Sequence, residues 1–166
     1  MMNSVFHIMV AANERYMPGA EVACAGVAIK AKPETELQFH VFTEDVLTSS
    51  IARMEASLKR LHSRSVVHQH VCSDELLKGL PYWGGSRMAA VRCLVANILH
   101  DVRWCLYLDC DILYLASVEE HFRIVTIPFM HVSYMRRARV TQMEVLNGLR
   151  SSVTLRCLRP AILTLV

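Results

Sequence analysis

Four short apolar runs, separated by stretches of helical periodicity, constrain this 166-residue chain more than any other feature. Val5 to Ala12, Leu37 to Thr43, Val66 to Val71 and Trp104 to Leu108 read as strands, each four to eight residues of mainly apolar and β-branched character. Pro18 to Lys32 reads as a helix with Val22, Gly26 and Ile29 on one face. Ser49 or Ser50 is placed to cap a second helix, in which Ile51, Met54, Leu58 and Leu61 recur at spacings of three and four. Ser73 to Gly85 reads as a loop and Ser86 to His100 as a third helix, while Ser117-Val118-Glu119-Glu120 forms a capping box for a short last one. Strand and helix in alternation predict an α/β fold with a mostly parallel sheet, and such sheets place ligands beyond the carboxyl ends of their strands. The 53% apolar content suits a sheet buried on both faces.

The last of these strands ends in Asp109-Cys110-Asp111. In an extended backbone, residues i and i+2 point to the same side, so Asp109 and Asp111 present oxygen ligands to one hard cation while Cys110 faces away. A manganese or magnesium ion (Mn2+ or Mg2+), held by one or two carboxylates and completed by phosphate oxygens and water, is the usual partner of such a pair in handling a nucleotide-activated donor. Carboxylates also close strands as ordinary solvated turns.

Three blocks resemble glycosyltransferase family 8, the retaining nucleotide-sugar transferases with a GT-A fold. Leu106-Tyr107-Leu108-Asp109-Cys110-Asp111-Ile112-Leu113 is similar to that family's Leu-Tyr-Leu-Asp-x-Asp-x-Leu signature. His7-Ile-Met-Val-Ala11-Ala-Asn13-Glu14-Arg15-Tyr16 is similar to its first strand and following loop, which hold the uridine of the donor; Asn13 stands where an acid is common and Arg15 where an Asn is common. Ser86 to Leu99 is similar to its Arg-Leu helix, with Arg92 seventeen residues before Asp109 and Ala90 in place of an aromatic. The resemblance implies a Rossmann-like, nucleotide-sugar-binding part at 1–123. Ala11, Asn13, Tyr16, Arg92, Asp109, Cys110 and Asp111 would line its donor site, with Asp109 and Asp111 as metal ligands. It implies a UDP-hexose as donor (a UDP-sugar bound with the cation), a saccharide or glycolipid acceptor in lipopolysaccharide assembly, and transfer with retention. Asn13 offers both donors and an acceptor, which suit a base edge or a ribose hydroxyl, although Asn13 and Glu14 also suit a plain turn capping the helix entered near Pro18. A guanidinium such as that of Arg92 matches phosphate oxygens in pairs.

Composition changes near residue 123. Residues 1–122 carry 11 Lys/Arg and 14 Asp/Glu, net −3, whereas 124–166 together with Arg123 carry seven Arg, no Lys and one acid, net +6. The family's later His-x-x-Gly-x-x-Lys type motif, whose His completes the metal site, is not found there; Gln142-Met-Glu144-Val-Leu-Asn147 is only faintly similar to another late family segment. The expectation is an atypical Arg-rich tail at 124–166, out of family register through truncation or a frameshift, and little transferase activity from this chain alone, with His121 and His131 as candidates for a replacement ligand. Two readings stay open beside the transferase: a non-catalytic nucleotide-binding remnant, and a protein that docks on an anionic surface through the tail. Nucleic acid is not expected as a partner. No apolar run approaches the roughly 18 residues of a membrane helix, and the start lacks the basic region of a signal peptide. Six cysteines (Cys24, Cys72, Cys93, Cys105, Cys110 and Cys157) form no Cys-x-x-Cys pair, which fits reduced thiols and a cytoplasmic location, with peripheral membrane contact still compatible. His68, His70 and Cys72 alternate onto one face as competent zinc ligands without a nearby fourth, and a sheet-edge strand accounts for them without metal.

Overall fold

The computed structural model describes residues 5–82, 86–102, 104–125 and 161–164. Strands β1 (Val5–Ala11), β2 (Glu36–Thr43), β3 (Ser65–Val71), β4 (Trp104–Leu108) and β5 (Ala161–Thr164) form one sheet in the order β3-β2-β1-β4-β5, with every pairing parallel. The strand positions match the apolar runs to within a residue, and β3 lies at the edge as its mixed polarity predicts. The fifth strand was not foreseen; it comes from the Arg-rich segment, most of which lies outside the described residues.

Side chains alternate across the sheet and build a core on each face. Ile8, Val10, Leu37, Phe39, Val41, Leu106 and Leu108 pack under helices α1 (Met17–Lys30) and α2 (Thr48–Leu61) and against Val118 and Phe122 of a later helix. Met9, Ala11, Phe42, Cys105 and Tyr107 turn to the opposite face, where Leu77, Met88, Val91 and Val95 cover them. This layering answers the need of a parallel sheet to hide both faces from water.

Several local expectations are corrected. Helix α1 buries Met17, Ala20, Ala23, Cys24, Gly26, Val27 and Ala28, while Val22 and Ile29 stand 54% and 60% exposed. Small residues win the inner face because the chain after β4 crosses it closely: a Cβ on Gly26 would sit 2.6 Å from the Tyr114 carbonyl oxygen. Helix α2 begins at Thr48 with Leu47 as its N-cap residue, and Ser50 is buried and donates to Glu14 Oε1 at 2.8 Å instead of capping. The presumed loop after Ser73 opens with a turn of helix, α3 (Asp74–Leu77), whose Leu76 amide donates to Ser73 Oγ at 3.3 Å. The helix expected over 86–100 is split into a 3-10 segment, Met88–Cys93, and one turn of α-helix, α4 (Val95–Ile98). Its amides at Ala90, Leu94 and Asn97 bond to carbonyls three residues back, and the Ala89 carbonyl accepts from the Arg92 side chain. That tight winding is the 3-10 pattern.

The last described helix, α5 (Val118–Val125), is tied to the α1–β2 connection through Glu119. Its carboxylate accepts from the Lys32 amide at 2.9 Å, from Thr35 Oγ1 and from Ser117 Oγ. Burial works against the charged form, but these hydrogen bonds outweigh it and hold the carboxyl below its usual range. Glu119→Ala leaves the buried Thr35 hydroxyl without its acceptor; the expected cost is about 2 kcal/mol in a urea unfolding titration, scaled from hydrogen bonds to charged groups. An unchanged midpoint would show that this clasp contributes nothing.

Candidate functional site

Order β3-β2-β1-β4-β5 has a switch point between β1 and β4: the chain leaves β1 toward β2 on one side and returns to β4 on the other. At such a point the connections diverge and leave a crevice beyond the strand ends, where α/β sheets bind ligands. Asn13 follows the end of β1, and Asp109, Cys110 and Asp111 follow the end of β4. The thiol of Cys110 closes the floor of the crevice by donating to the Ala11 carbonyl at 3.3 Å. Burial, with Asp109 and Asp111 adding to it, pushes that thiol up to about 12, so it stays protonated and able to donate. Close packing by the first turn of α1 completes the floor, since a Cβ on Gly19 would lie 2.2 Å from the Cys110 carbonyl oxygen.

On the β1 side, the backbone carbonyl of Asn13 accepts from the Tyr16 and Met17 amides at 3.0 and 3.1 Å and turns the chain into a 3-10 segment, Glu14–Tyr16. Its side chain does not cap that segment. The Asn13 Oδ1 is instead buried with no hydrogen-bond partner among the described residues, a state that costs about 1–3 kcal/mol until a donor arrives. Tyr16 is 47% exposed and carries the Arg15 guanidinium 5.9 Å above its ring.

On the β4 side, the strand stops at Leu108, so Asp109 lies just past it and Asp111 lies in the following turn. The same-side argument from an extended backbone therefore does not govern this pair. Asp109 Oδ1 accepts from Tyr107 Oη at 2.5 Å and from Arg92 Nη2 at 3.3 Å. Tyr107 is buried, and its hydroxyl is pushed far above the usual phenol range, first by burial and further by Asp109, while Arg92 opposes. Arg92 is held on three sides: it stacks 4.3 Å over the Tyr107 ring, its Nε donates to the Ala89 carbonyl at 2.6 Å, and it pairs with Asp109. Asp111 is exposed. Among the described residues no three histidine, cysteine or acidic side chains converge on one point.

The structure thus ties Cys110 to Ala11 and Asp109 to Arg92, with Asn13 following the neighbouring strand β1 and Asp111 exposed in the turn after β4. The Tyr107 bond to Asp109 and the Ser50 bond to Glu14 were not anticipated by the sequence reading. For Tyr107 a signal was present, since it precedes Asp109 by two residues on a strand pattern; for the Ser50 to Glu14 bond none was, because it joins residues 36 apart. The proposed replacement ligand His121 packs against Tyr114 and Phe122 in α5, and His131 lies outside the described residues. Tyr82 is 68% exposed beneath Arg87, and residues 83–85 lie outside the described residues.

The rival histidine set is assembled differently from the expectation. Cys72 is buried in the second core with its amide bonded to the Thr43 carbonyl, and it does not join His68 and His70. Those two meet His40 and His7 across three strands instead: His7 Nδ1 lies 3.0 Å from His40 Nε2, and His40 Nδ1 lies 3.0 Å from His70 Nε2. His68 stacks on His40 and bonds Gln38 Oε1 at 2.6 Å. Burial first, then the neighbouring imidazoles, lower the His40 pKa from 6.5 to about 3.

Comparison with known proteins agrees with this architecture. The model of glycosyl transferase family 8 matches residues 7–142. The lipopolysaccharide 1,3-galactosyltransferase of Salmonella typhimurium is 33% identical over 117 residues, which are 69% of this chain and 34% of that protein. The chain therefore spans about a third of the length of the curated relative it matches. Among solved structures, galactosyltransferase LgtC in complex with donor and acceptor sugar analogues aligns at a TM-score of 0.58 and 24% identity, over 70% of this chain and 42% of that one. Mouse xyloside xylosyltransferase 1 aligns at 0.51 and 18%, over 73% and 48%. At these identities the structural likeness speaks for the fold, which is of GT-A type. The matched family model covers most of the chain and both banks of the crevice, and on that ground the chain belongs to glycosyl transferase family 8.

Proposed function

We propose that this chain binds the donor of a hexosyl transfer, a UDP-hexose held with Mn2+ or Mg2+, for delivery with retained configuration to a saccharide or glycolipid acceptor of lipopolysaccharide type. The observation that carries this reading is the pairing, across one switch-point crevice, of an unsatisfied buried Asn13 oxygen with the carboxylates after β4. The donor set fits the group: hard carboxylate oxygens at Asp109 and Asp111 suit a hard divalent ion, and the orphaned Asn13 oxygen suits a base or ribose donor. When bound, such an ion neutralises charge that develops on the leaving diphosphate. Asp109 and Asp111 would hold it, Asn13 would orient the nucleoside, and Tyr16 would offer its exposed ring beside it. The Salmonella relative's name supports a lipopolysaccharide acceptor, and the LgtC complex supports a sugar donor and a sugar acceptor.

Titration calorimetry with UDP and Mn2+ tests the reading. Binding is expected for the unaltered chain, and Asp109→Ala or Asp111→Ala should weaken it about tenfold or more, the usual scale for losing a charged partner of a ligand. Affinity unchanged from the unaltered chain in both variants would remove the metal assignment. Absence of any UDP binding by the folded, unaltered chain would remove the donor-site reading altogether.

A further inference from the structure

Arg92 and a divalent cation make claims on the same carboxylate. Asp109 Oδ1 already accepts from Arg92 Nη2 at 3.3 Å and from Tyr107 Oη at 2.5 Å, whereas Oδ2 has no partner among the described residues. The guanidinium has little freedom to leave, since its Nε is bonded to the Ala89 carbonyl and its plane lies 4.3 Å over the Tyr107 ring. With its side chain only 16% exposed beside a 37% exposed Asp109, its charge is poorly screened by water. A cation arriving alone at Oδ2 therefore meets a fixed positive charge, and a salt bridge that must weaken as the carboxylate is shared. UDP changes the sign of this encounter, because it brings more negative charge than one divalent ion cancels, and the guanidinium then attracts the incoming pair.

We infer that Arg92 is a positioning residue that couples the cation to the nucleotide: paired with Asp109, it disfavours the bare ion and favours the ion together with a diphosphate. The inference rests on the donor-site reading above and adds an order to it. The site takes its ion with, or after, the nucleotide, and so does not fill with free metal. Tyr107 supports the device from the core, fixing the Asp109 oxygen that Arg92 engages and the ring on which Arg92 lies.

The experiment is calorimetric titration of the full chain with MnCl2 alone and with UDP in the presence of MnCl2, with a thermal melt of each variant as the folding control. Arg92→Met should tighten Mn2+ alone by about fivefold and weaken UDP with Mn2+ by about tenfold, in the range seen for residues that orient metal ligands. Shifts of opposite sign cannot come from mere loosening of the fold, which would weaken both. Arg92→Lys keeps the charge and should leave Mn2+ alone weak, restoring part of the UDP affinity. Should Arg92→Met fold poorly, Arg92→Gln serves instead: it removes the charge while keeping a side chain that can donate hydrogen bonds, and the same shifts of opposite sign are expected. Parallel weakening of both ligands in Arg92→Met, or no change in either, overturns the coupling while leaving the donor site standing. If the unaltered chain binds no UDP with Mn2+, the donor-site reading fails and the coupling fails with it.

Discussion

Gly19→Ala is expected to destabilise the chain by about 3 kcal/mol and to abolish UDP binding, although alanine in a helix interior normally stabilises by up to about 1 kcal/mol relative to glycine. The reversal comes from one contact. The added Cβ would stand 2.2 Å from the Cys110 carbonyl oxygen, and both sides of that contact are backbone, α1 on one and the turn after β4 on the other. Neither can yield by rotating a side chain, so α1 must lift from the sheet or the turn carrying Asp109 and Asp111 must move. The second choice displaces the proposed cation ligands directly, and a shift of about 1 Å is enough to disable a site that depends on fixed geometry. Gly79 provides the control: its φ is +88° and nothing lies within 4 Å of a built Cβ, so Gly79→Ala should cost only its backbone strain and leave the crevice intact. Chemical unfolding of both variants, with UDP calorimetry, checks the pair. Normal stability and binding in Gly19→Ala would mean that α1 does not pack on the turn as described.

Acidification from pH 7.5 to 5 is expected to cost about 3 kcal/mol of stability, with His40 counted in full and the half-buried His7 and His70 discounted for screening. All three are held below the usual histidine value of 6.5, His40 at about 3, and burial lowers His121 in α5 in the same direction. Burial is the first cause in each case, followed for His40 by His70, His7 and His68; at His7, Glu36 acts in the opposite direction. In the unfolded chain these imidazoles titrate near 6.5. Between the folded and unfolded values the unfolded chain binds protons that the folded chain refuses, so stability is fully present above 6.5 and declines as the pH falls toward 3. Each histidine in that state contributes a slope of about 1.4 kcal/mol per pH unit. Glu119 acts in a lower window, since its depressed carboxyl loses its contribution only as the pH falls through the carboxylate range. Urea midpoints across pH 5 to 8 therefore isolate the histidines, and His40→Gln should flatten the profile by about one proton's worth of slope. A flat profile in the unaltered chain would show that the imidazole row is not closed off from protons.

How much was legible depended on the range of the interactions. Four of the five strands could be read because each is a short run of mainly apolar and β-branched residues between turn and helix signals, whereas the fifth, in the Arg-rich segment, was not. Ser117 and Glu120 could be read as a helix start because capping is local, and the Glu120 amide donates to Ser117 Oγ. The helix over 86–100 could not be placed correctly, because its apolar spacing is helical while its winding is set by Arg92, whose side chain takes the Ala89 carbonyl and reaches across to Tyr107 and Asp109. Likewise Val22 and Ile29 were the natural choice for an inner face, and only the passage of residues 110–114 under α1 makes glycine and alanine the better-packed surface.

By itself, then, the sequence determined the α/β class, four of the five parallel strands and the presence of two carboxylates after the fourth, since these follow from patterns within a few residues. Tertiary structure alone decided that β4 lies beside β1, bringing Asn13 and Asp109 to one crevice. It also decided that Tyr107 and Arg92 share one oxygen of Asp109, and that four histidines from three strands form a row in place of a site with Cys72. The physical reason for the strand contacts is distance along the chain: strand order and register join residues about 30 to 100 positions apart, and no local periodicity records which distant strand will become the neighbour; Arg92 reaches Asp109 over 17 positions, beyond one helical or strand repeat.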